Sequence, residues 1–276
     1  MPLTAAVLVL LSAALHACWN AGVKAHPDPE AATVGLVAGA AGFSTLAAIA
    51  AQNPWPPAGA WPWIVVCGVV EALYFATLTR ALARLPLGAA YAVSRGGGQL
   101  VTWPISVLWF GERAGFASLA SAATVVVGLF LRARPPLSTS GLAWALACAL
   151  TIGTYPLTYQ VALATGAPPF VLFSLSLLLS LPLQFVALGA GRFTRVRTAA
   201  TLRPVLLLVG AAACAASFLL FLAALGLDGA GRTSALRNVS VVFATLLGAA
   251  QGELLDRTAV ISAGLITLGA IGIAIA

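Results

Sequence analysis

The feature that most constrains this chain is the length of its uncharged apolar runs. Residues 135–191 contain no Asp, Glu, Lys or Arg. A membrane-spanning helix needs about 20 mostly apolar residues, so this stretch is long enough for two crossings joined by the turn at 164–169. The runs are continuous, whereas strands of a membrane barrel alternate between apolar and polar residues. The sequence therefore predicts membrane helices.

Composition excludes the other classes of protein. Only 8% of the 276 residues are charged and 61% are hydrophobic, whereas a soluble domain has about 25% charged residues. A disordered chain would be polar and charged. Applying the span length to the whole chain predicts ten membrane helices, at 3–23, 31–51, 61–81, 87–110, 114–131, 141–163, 168–190, 204–226, 233–251 and 258–276. The first span runs on to Lys24 and has no basic residue before it, so it is interpreted as a helix and not as a secretory signal.

The basic residues lie between the apolar runs, not on one clustered face. The net charge of +7 therefore reflects membrane topology, and no nucleic-acid partner is expected. With ten spans, the connections on the second face hold only Arg113 and Arg232. Those on the first face hold Lys24, Arg80, Arg84, Arg132, Arg134, Arg192, Arg195, Arg197, Arg203 and Arg257. The positive-inside rule makes the first face cytoplasmic and places both termini outside.

The chain also contains a weak internal repeat. Gly111-Glu112 ends the fourth predicted span and Gly252-Glu253 ends the ninth, and each pair precedes a Gly-containing apolar span. Arg95 and Arg237 lie at nearly equal distances before these pairs, and Lys24 in the first span has Gln160 as its counterpart in the sixth. A unit of five spans must insert the second time in the opposite orientation. This pattern is typical of the inverted repeats of secondary transporters.

The motif Leu15-His16-Ala17-Cys18-Trp19-Asn20, with Lys24 and the two Gly-Glu pairs, resembles the drug/metabolite transporter superfamily, and in particular its EamA-type members with two repeats. The resemblance covers essentially the whole chain. It implies an all-α integral membrane fold of ten transmembrane helices, arranged as two inverted five-helix repeats (1–134 and 135–276) around a central cavity. It also implies export or exchange of small metabolites by alternating access. The sequence departs from the family in the ninth span, which has no counterpart of Pro104.

Ionisable groups at membrane depth are costly and mark candidate sites. Three stand out, namely Glu71, Arg95 and Arg237, and polar or aromatic residues share a helical face with each of them. We expect the two arginines to hold a carboxylate or a phosphate-like oxyanion, and Glu71 to counter an arginine or to carry a proton. The predicted substrate-binding residues are Trp19, Asn20, Glu71, Tyr74, Tyr91, Arg95, Gln99, Tyr155, Tyr159, Arg237 and Asn238.

Purely structural interpretations of the same residues stay open at this point. Glu71 could pair with one arginine while the other extends to a membrane interface, as long basic side chains do. His16 is interpreted as a helix-packing residue. Glu112 and Glu253 are interpreted as caps at the start of the following helix, where a carboxylate suits the helix dipole.

The sequence favours a secondary transporter of small polar or anionic metabolites, such as amino acids. The alternatives are a channel or a non-transporting membrane interaction protein, and, with less support, an integral-membrane enzyme. No ATP-binding GxxxxGK[ST] loop and no HExxH or GxSxG motif occurs. The four cysteines lie in separate apolar runs without metal-ligand spacing. We therefore expect no catalytic activity, cofactor or metal. The expected partners are the lipid bilayer and a small-molecule substrate, for a monomeric multi-pass protein of the inner (plasma) membrane.

The predicted orientation can be tested with reporter fusions. A C-terminal alkaline phosphatase fusion should be active and a C-terminal green fluorescent protein fusion dark, because the charge bias places the C-terminus outside the cytoplasm. Phosphatase and fluorescent fusions after Lys24, on the basic face, serve as the control and should behave in the opposite way. A fluorescent C-terminal fusion would show that the orientation is wrong.

Overall fold

A computed structural model of the protein describes residues 1–112, 115–132 and 137–276. About 84% of the chain is helical, and the described residues contain no strand. The first half contains α1 (Leu3–Lys24), α2 (Pro29–Ala50), a short turn of 3₁₀ helix (Ala58–Ala60), α3 (Trp61–Leu82), α4 (Leu87–Tyr91), a π-helical turn (Ala92–Gly96), α5 (Gly97–Phe110) and α6 (Phe116–Arg132). The second half contains α7 (Thr139–Ala164), α8 (Pro169–Ala187), α9 (Arg192–Leu202), α10 (Pro204–Leu225), α11 (Ala230–Arg237), α12 (Ser240–Ala250) and α13 (Arg257–Ile275).

Eight helical segments within the described residues are long and apolar enough to cross a membrane. The fourth and fifth predicted spans are not among them. The fourth is interrupted by the π-helical turn, and the fifth, α6, has only 17 residues. The protein is therefore an all-helical, multi-pass membrane protein, while the count of ten spans stays a prediction.

Two of the predicted spans are not continuous helices. The span predicted at 87–110 consists of α4, the π-helical turn and α5, which begins at Gly97. The span predicted at 233–251 consists of α11 and α12, with a turn at Asn238 and Val239 between them. Glycine is a poor helix former, and Gly96-Gly97-Gly98 lies at the first interruption. The second interruption has no such signal in the sequence.

The connection after α8 contains a helix that the sequence did not predict. The arginine-rich segment expected to be a loop forms α9, which starts after Gly191 in a left-handed conformation at φ 71°. Its residues are too polar to enter the bilayer, and its 11 residues are too few to cross it. The predicted boundary between the halves at 134/135, and Arg113 and Arg134, lie outside the described residues.

Helix contacts between the two halves come in matching pairs. Helix α3 packs on α7, and correspondingly α10 packs on α1. Helix α3 also packs on α8, and correspondingly α10 packs on α2. The contact of α5 with α7 corresponds to that of α12 with α1. Helix α2 also packs on α8, and α6 on α13, while α4 packs on α12 and α5 on α11. The interior of the protein is therefore built almost entirely from contacts between the halves.

Small residues allow the central helices to approach closely. A Cβ atom at Gly98 in α5 would lie 2.5 Å from Ile152 Cγ2 in α7, and one at Gly153 would overlap Val101. Thr102 spans the same contact, because its hydroxyl donates to the Gly153 carbonyl at 3.0 Å. In lipid, the hydrophobic effect does not bring helices together, so their association depends on close packing between small residues such as these.

The α5–α7 contact should be sensitive to side-chain volume. Gly153→Val should destabilise the protein by about 1–3 kcal/mol, because the new side chain meets Val101 in a filled interface. Thermal unfolding of purified protein in detergent measures the change. Gly264→Ala in α13, where nothing lies within 4 Å of an added Cβ atom, is the control and should leave the midpoint unchanged or raise it. An unchanged midpoint for Gly153→Val would contradict the close approach.

Candidate functional site

Both helix interruptions lie beside a buried arginine. Arg95 belongs to the π-helical turn, and Arg237 is the last residue of α11. Arg95 is 2% exposed and Arg237 is not exposed at all. Helices interrupted at membrane depth commonly mark binding sites in transporters, because unwound backbone and helix ends can meet polar ligands there.

Arg237 is bound by side chains from three other helices. Its guanidinium donates to the Tyr155 hydroxyl at 2.6 Å and to the Ser217 hydroxyl at 2.9 Å, and one nitrogen lies 3.1 Å from His16 Nδ1. It also lies over the rings of Phe218 and Phe221, with 4.9 and 4.3 Å from the guanidinium carbon to the ring centres. The interpretation that Arg237 extends to an interface is therefore wrong, because four helices enclose it.

The contact with Arg237 fixes the protonation pattern of His16. A guanidinium can only donate, so Nδ1 of His16 must accept and its proton must lie on Nε2. Nε2 is 3.0 Å from the Tyr74 hydroxyl oxygen, to which it then donates. The imidazole therefore links Arg237 to Tyr74 as a neutral group.

Arg95 has very different surroundings. Its guanidinium carbon lies 5.9 Å from the centre of the Tyr91 ring, and one terminal nitrogen is buried without a hydrogen-bond partner in the part of the chain that the structure describes. The Arg95 guanidinium forms no hydrogen bond and no ion pair among the described residues. Burying a cation without acceptors is costly, so this guanidinium is a candidate for binding an anion.

Glu71 is buried in the middle of α3. One carboxylate oxygen accepts from the Tyr159 hydroxyl at 3.0 Å, and the other has no hydrogen-bond partner within residues 1–112, 115–132 and 137–276. Within the part of the chain that the structure describes, Glu71 forms no ion pair with Arg95 or Arg237. The structural interpretation in which Glu71 pairs with an arginine is therefore wrong for this conformation.

Several other predicted residues form buried contacts of their own. Asn20 donates to the Tyr91 hydroxyl at 2.5 Å and to the His16 carbonyl at 2.8 Å. Gln99 donates to the Gly231 carbonyl at 3.2 Å and accepts from Asn238 at 3.4 Å. Trp19 packs edge-on against His16 at 4.9 Å between ring centres, and its indole nitrogen is buried without a partner.

The structure thus brings most of the eleven predicted residues into one buried core. Tyr74 and Tyr155 lie 5.7 Å apart between ring centres, and Tyr155 and Tyr159 lie 6.2 Å apart. These side chains touch one another, so the centre is closed to solvent in this conformation and the predicted cavity is not open. Their role in binding a substrate stays a prediction.

Sequence reasoning missed three members of this core. His16 was interpreted as a packing residue, although it binds Arg237 and Tyr74. Ser217 was not considered, yet it binds Arg237 and exchanges hydrogen bonds with the Ser12 backbone and side chain. Phe218, which lies under Arg237, follows Ser217 in α10. The four-residue spacing of His16 and Asn20 was the one available signal, since it places both on one face of α1.

The two glutamates of the Gly-Glu pairs cap helices, but in the opposite half of the chain. Both oxygens of Glu253 accept from the Leu87 N–H, at 2.7 and 2.8 Å, at the start of α4. Glu112 accepts from the Gly231 N–H at 3.0 Å, in the first turn of α11. The expectation that they cap the following helix is wrong, and for α13 Asp256 caps the first turn instead, accepting from Ala259 N–H at 2.6 Å.

We call these two contacts the Glu253 latch and the Glu112 latch. In the Glu253 latch, Lys24 lies 3.5 Å from the carboxylate and donates to the carbonyls of Leu82 and Leu85. In the Glu112 latch, the position that corresponds to Lys24 is held by Gln160, which accepts from the Ala230 N–H at 3.0 Å. Each latch fastens the start of one interrupted helix to the opposite half of the chain.

The basic face carries a further connection between the halves. Arg195 of α9 binds both carboxylate oxygens of Asp28, at 2.8 and 2.9 Å, and Asp28 caps the start of α2. The Arg195 guanidinium holds the pKa of the Asp28 carboxyl below its ordinary value. Helix α9 is therefore fixed to the α1–α2 connection and is not a free loop.

Two protein families match different parts of the chain. Residues 139–275 match the EamA-like transporter family, and residues 33–125 match the Small Multidrug Resistance protein family. The resemblance to the drug/metabolite transporter superfamily that the sequence predicted is confirmed by these matches. The members of the EamA family are transporters and not enzymes.

One relative and one solved structure add to this comparison. The uncharacterized membrane protein YvdR of Bacillus subtilis (strain 168) is 35% identical over 69 residues, which are 25% of this chain and 64% of YvdR. The match therefore spans less than two thirds of the length of that relative. A solved structure titled "Crystal structure of protein" superposes with a TM-score of 0.67 and 18% sequence identity, over 99% of this chain and 96% of the other. The two proteins share a fold over their whole length.

The two buried arginines should differ in their effect on stability. Arg237→Gln should destabilise the protein by about 1–3 kcal/mol, because it leaves buried acceptors on His16, Tyr155 and Ser217 without their donor. Arg95→Gln should leave stability unchanged or raise it, because it removes a buried cation without hydrogen bonds. Thermal unfolding in detergent without added ligand measures both. Equal losses for the two variants would contradict the difference in their surroundings.

Proposed function

We propose that this chain, which resembles the drug/metabolite transporter superfamily and whose residues 139–275 match the EamA-like transporter family, is a secondary transporter that exports or exchanges small polar or anionic metabolites, such as amino acids, by alternating access. The family places it among membrane transporters of the drug/metabolite type. The proposal adds the charge of the substrate, the mechanism, the residues involved and a location in the inner (plasma) membrane as a monomer.

The observation that carries the proposal is the charge of the buried core. Among the described residues, the buried Lys, Arg, Asp and Glu side chains are Glu71, Arg95 and Arg237. Two cations thus stand against one carboxylate, and His16 is neutral. An excess of buried positive charge is costly in a bilayer and favours an anionic ligand.

Arg95 is the proposed anchor for that anion. Arg237 already has three acceptors, whereas Arg95 has none among the described residues. A carboxylate or an oxyanion that enters the core would give Arg95 two charge-assisted hydrogen bonds through its planar guanidinium. The aromatic rings of Tyr74, Tyr91 and Trp19 would form the walls beside it.

Alternating access is supported by the paired architecture. We propose that the halves 1–134 and 135–276 are inverted repeats of five membrane spans. Most helix contacts have a counterpart when the two halves are interchanged, and each latch joins a glutamate of one half to a helix of the other. Both features fit such a two-fold arrangement. Movement of one half against the other would open the core toward one face at a time, and each latch would hold one face closed.

Transport in proteoliposomes tests the function directly. Purified protein should exchange labelled amino acids or small organic acids with saturation kinetics, and Arg95→Gln should reduce the rate at low substrate concentration at least about tenfold, because a charge-assisted hydrogen bond contributes about 1.5–3 kcal/mol. Arg95→Lys should retain part of the rate.

The matched control is Arg197→Gln, in the helix α9 outside the core. It should transport like the unmodified protein. Flux that does not saturate would favour a channel, and transport by Arg95→Gln at the unmodified rate would refute the assigned anchor.

A further inference from the structure

The two latches are alike in geometry but unequal in charge. We propose that the Glu112 latch is a proton-binding site, so that the face it closes is held shut by a protonated carboxyl, whereas the Glu253 latch is held shut by an ion pair and takes up no proton. The inference concerns the closure of the faces and does not depend on which metabolite is carried.

The Glu253 latch has a cation for its carboxylate. Lys24 lies 3.5 Å from Glu253, and both side chains are 20% exposed. Lys24 is itself fixed by carbonyls at the end of α3, with 2.6 Å to the Leu85 oxygen. Arg132 of α6 also lies close enough to Glu253 and to Asp256, which precedes α13, to interact with both carboxylates. Glu253 therefore has a cation beside it and can close as an anion.

The Glu112 latch lacks this balance among the described residues. Gln160, which corresponds to Lys24, is neutral and accepts a backbone hydrogen bond. The charged groups that face Glu112 are Asp228, in the turn before α11, and Arg232 in α11. Arg232 lies 3.5 Å from Asp228, so one guanidinium serves two carboxylates. Arg113, the next residue in the chain, lies outside the described residues.

The carboxylate oxygens of the Glu112 latch that lack a hydrogen-bond donor are the atoms at which a proton would bind. One oxygen of Glu112 and one oxygen of Asp228 are buried and have no hydrogen-bond partner among the described residues. Glu112 also lies against the backbone, because a Cβ atom at Gly229 or Gly231 would overlap its carboxylate oxygens. A buried carboxylate oxygen without a donor is a costly arrangement. A proton on Glu112 removes the negative charge and leaves the other oxygen free to accept from Gly231.

The direction of the pH effect follows from burial. Burial raises the pKa of the Glu112 carboxyl, and Asp228 adds to the rise, while the Gly231 N–H bond and Arg232 oppose it. An open face returns the carboxyl to water and to its ordinary pKa. The closed state therefore binds the proton more tightly than the open state, so acid favours closure and closure is lost as pH rises through the raised pKa.

Distances between spin labels in lipid nanodiscs test the inference on each face separately. One label pair, at Leu108 and Leu227, reports on the Glu112 face, and the other, at Ala83 and Leu254, on the Glu253 face. All four positions are exposed. Labels on unnatural residues leave the four native cysteines in place. From about pH 5 to about pH 8, which brackets the titration of a carboxyl with a raised pKa, the first pair should move apart and the second should not.

Three variants separate the proton from other causes of a pH effect. Glu112→Gln, which imitates the protonated carboxyl, should hold the first pair at the short distance at both pH values. Gln160→Lys, which supplies the cation that Lys24 supplies on the other face, should remove the response. Lys24→Gln should make the second pair respond to pH in the same direction as the first pair in the unmodified protein.

The inference is overturned if the first pair keeps one distance at both pH values, if it lengthens in acid, or if Gln160→Lys responds like the unmodified protein. Retention of the response in Arg113→Gln would support it further, whereas loss of the response there would overturn it. None of these readings requires transport, so a failure of the proposed function would appear in the proteoliposome assay and not here.

Discussion

The structure depends on the binding of one buried guanidinium. Arg237 at the end of α11 is bound by His16 from α1, Tyr155 from α7 and Ser217 from α10, so a single side chain connects four helices at membrane depth. A bilayer offers no water to replace a missing acceptor, so each of these partners must be supplied by the protein. The tyrosines that pack around His16 and Tyr155, and the tautomer of His16, follow from this requirement.

The interrupted helices make this arrangement possible. An arginine within a continuous lipid-facing helix would have to extend to the interface, whereas at the end of α11 or in the π-helical turn it can point into the core. The two arginines occupy corresponding places in the two halves but differ in the number of hydrogen-bond acceptors around their guanidinium groups. One is a structural connector, and the other is free of hydrogen bonds among the described residues, which is why the proposed anion site is placed at Arg95.

The two latches also differ in the residues that occupy corresponding positions in the two halves. Both glutamates bind backbone N–H groups at the start of an interrupted helix in the other half. The lysine beside one and the glutamine beside the other give the two faces different electrostatics. This difference in charge would suit the proposed alternating access, in which the two faces open separately.

Much of this protein could be predicted because lipid imposes a simple rule on sequence. The apolar runs predicted the bounds of the eight segments that are long and apolar enough to cross a membrane to within a few residues, and the rarity of charge at membrane depth pointed to Glu71, Arg95 and Arg237. The helix α9 was missed because a polar, arginine-rich connection carries no hydropathy signal. His16 and Ser217 were missed because their partners come from other helices, and spacing along one helix does not show what faces it.

The sequence by itself determined that the chain is a multi-pass helical membrane protein, that most of its arginines lie between the apolar runs, and that Gly-Glu pairs recur in both halves. These features depend on residue type and spacing alone, which hydrophobic burial in lipid converts directly into structure. Only the tertiary structure decided which arginine is satisfied, which helix each glutamate caps, and which glutamate has a cation beside it. Those outcomes depend on contacts between residues far apart in the chain, such as Arg237 and His16, which are 221 positions apart, and on the relative placement of the two halves, which no local pattern records.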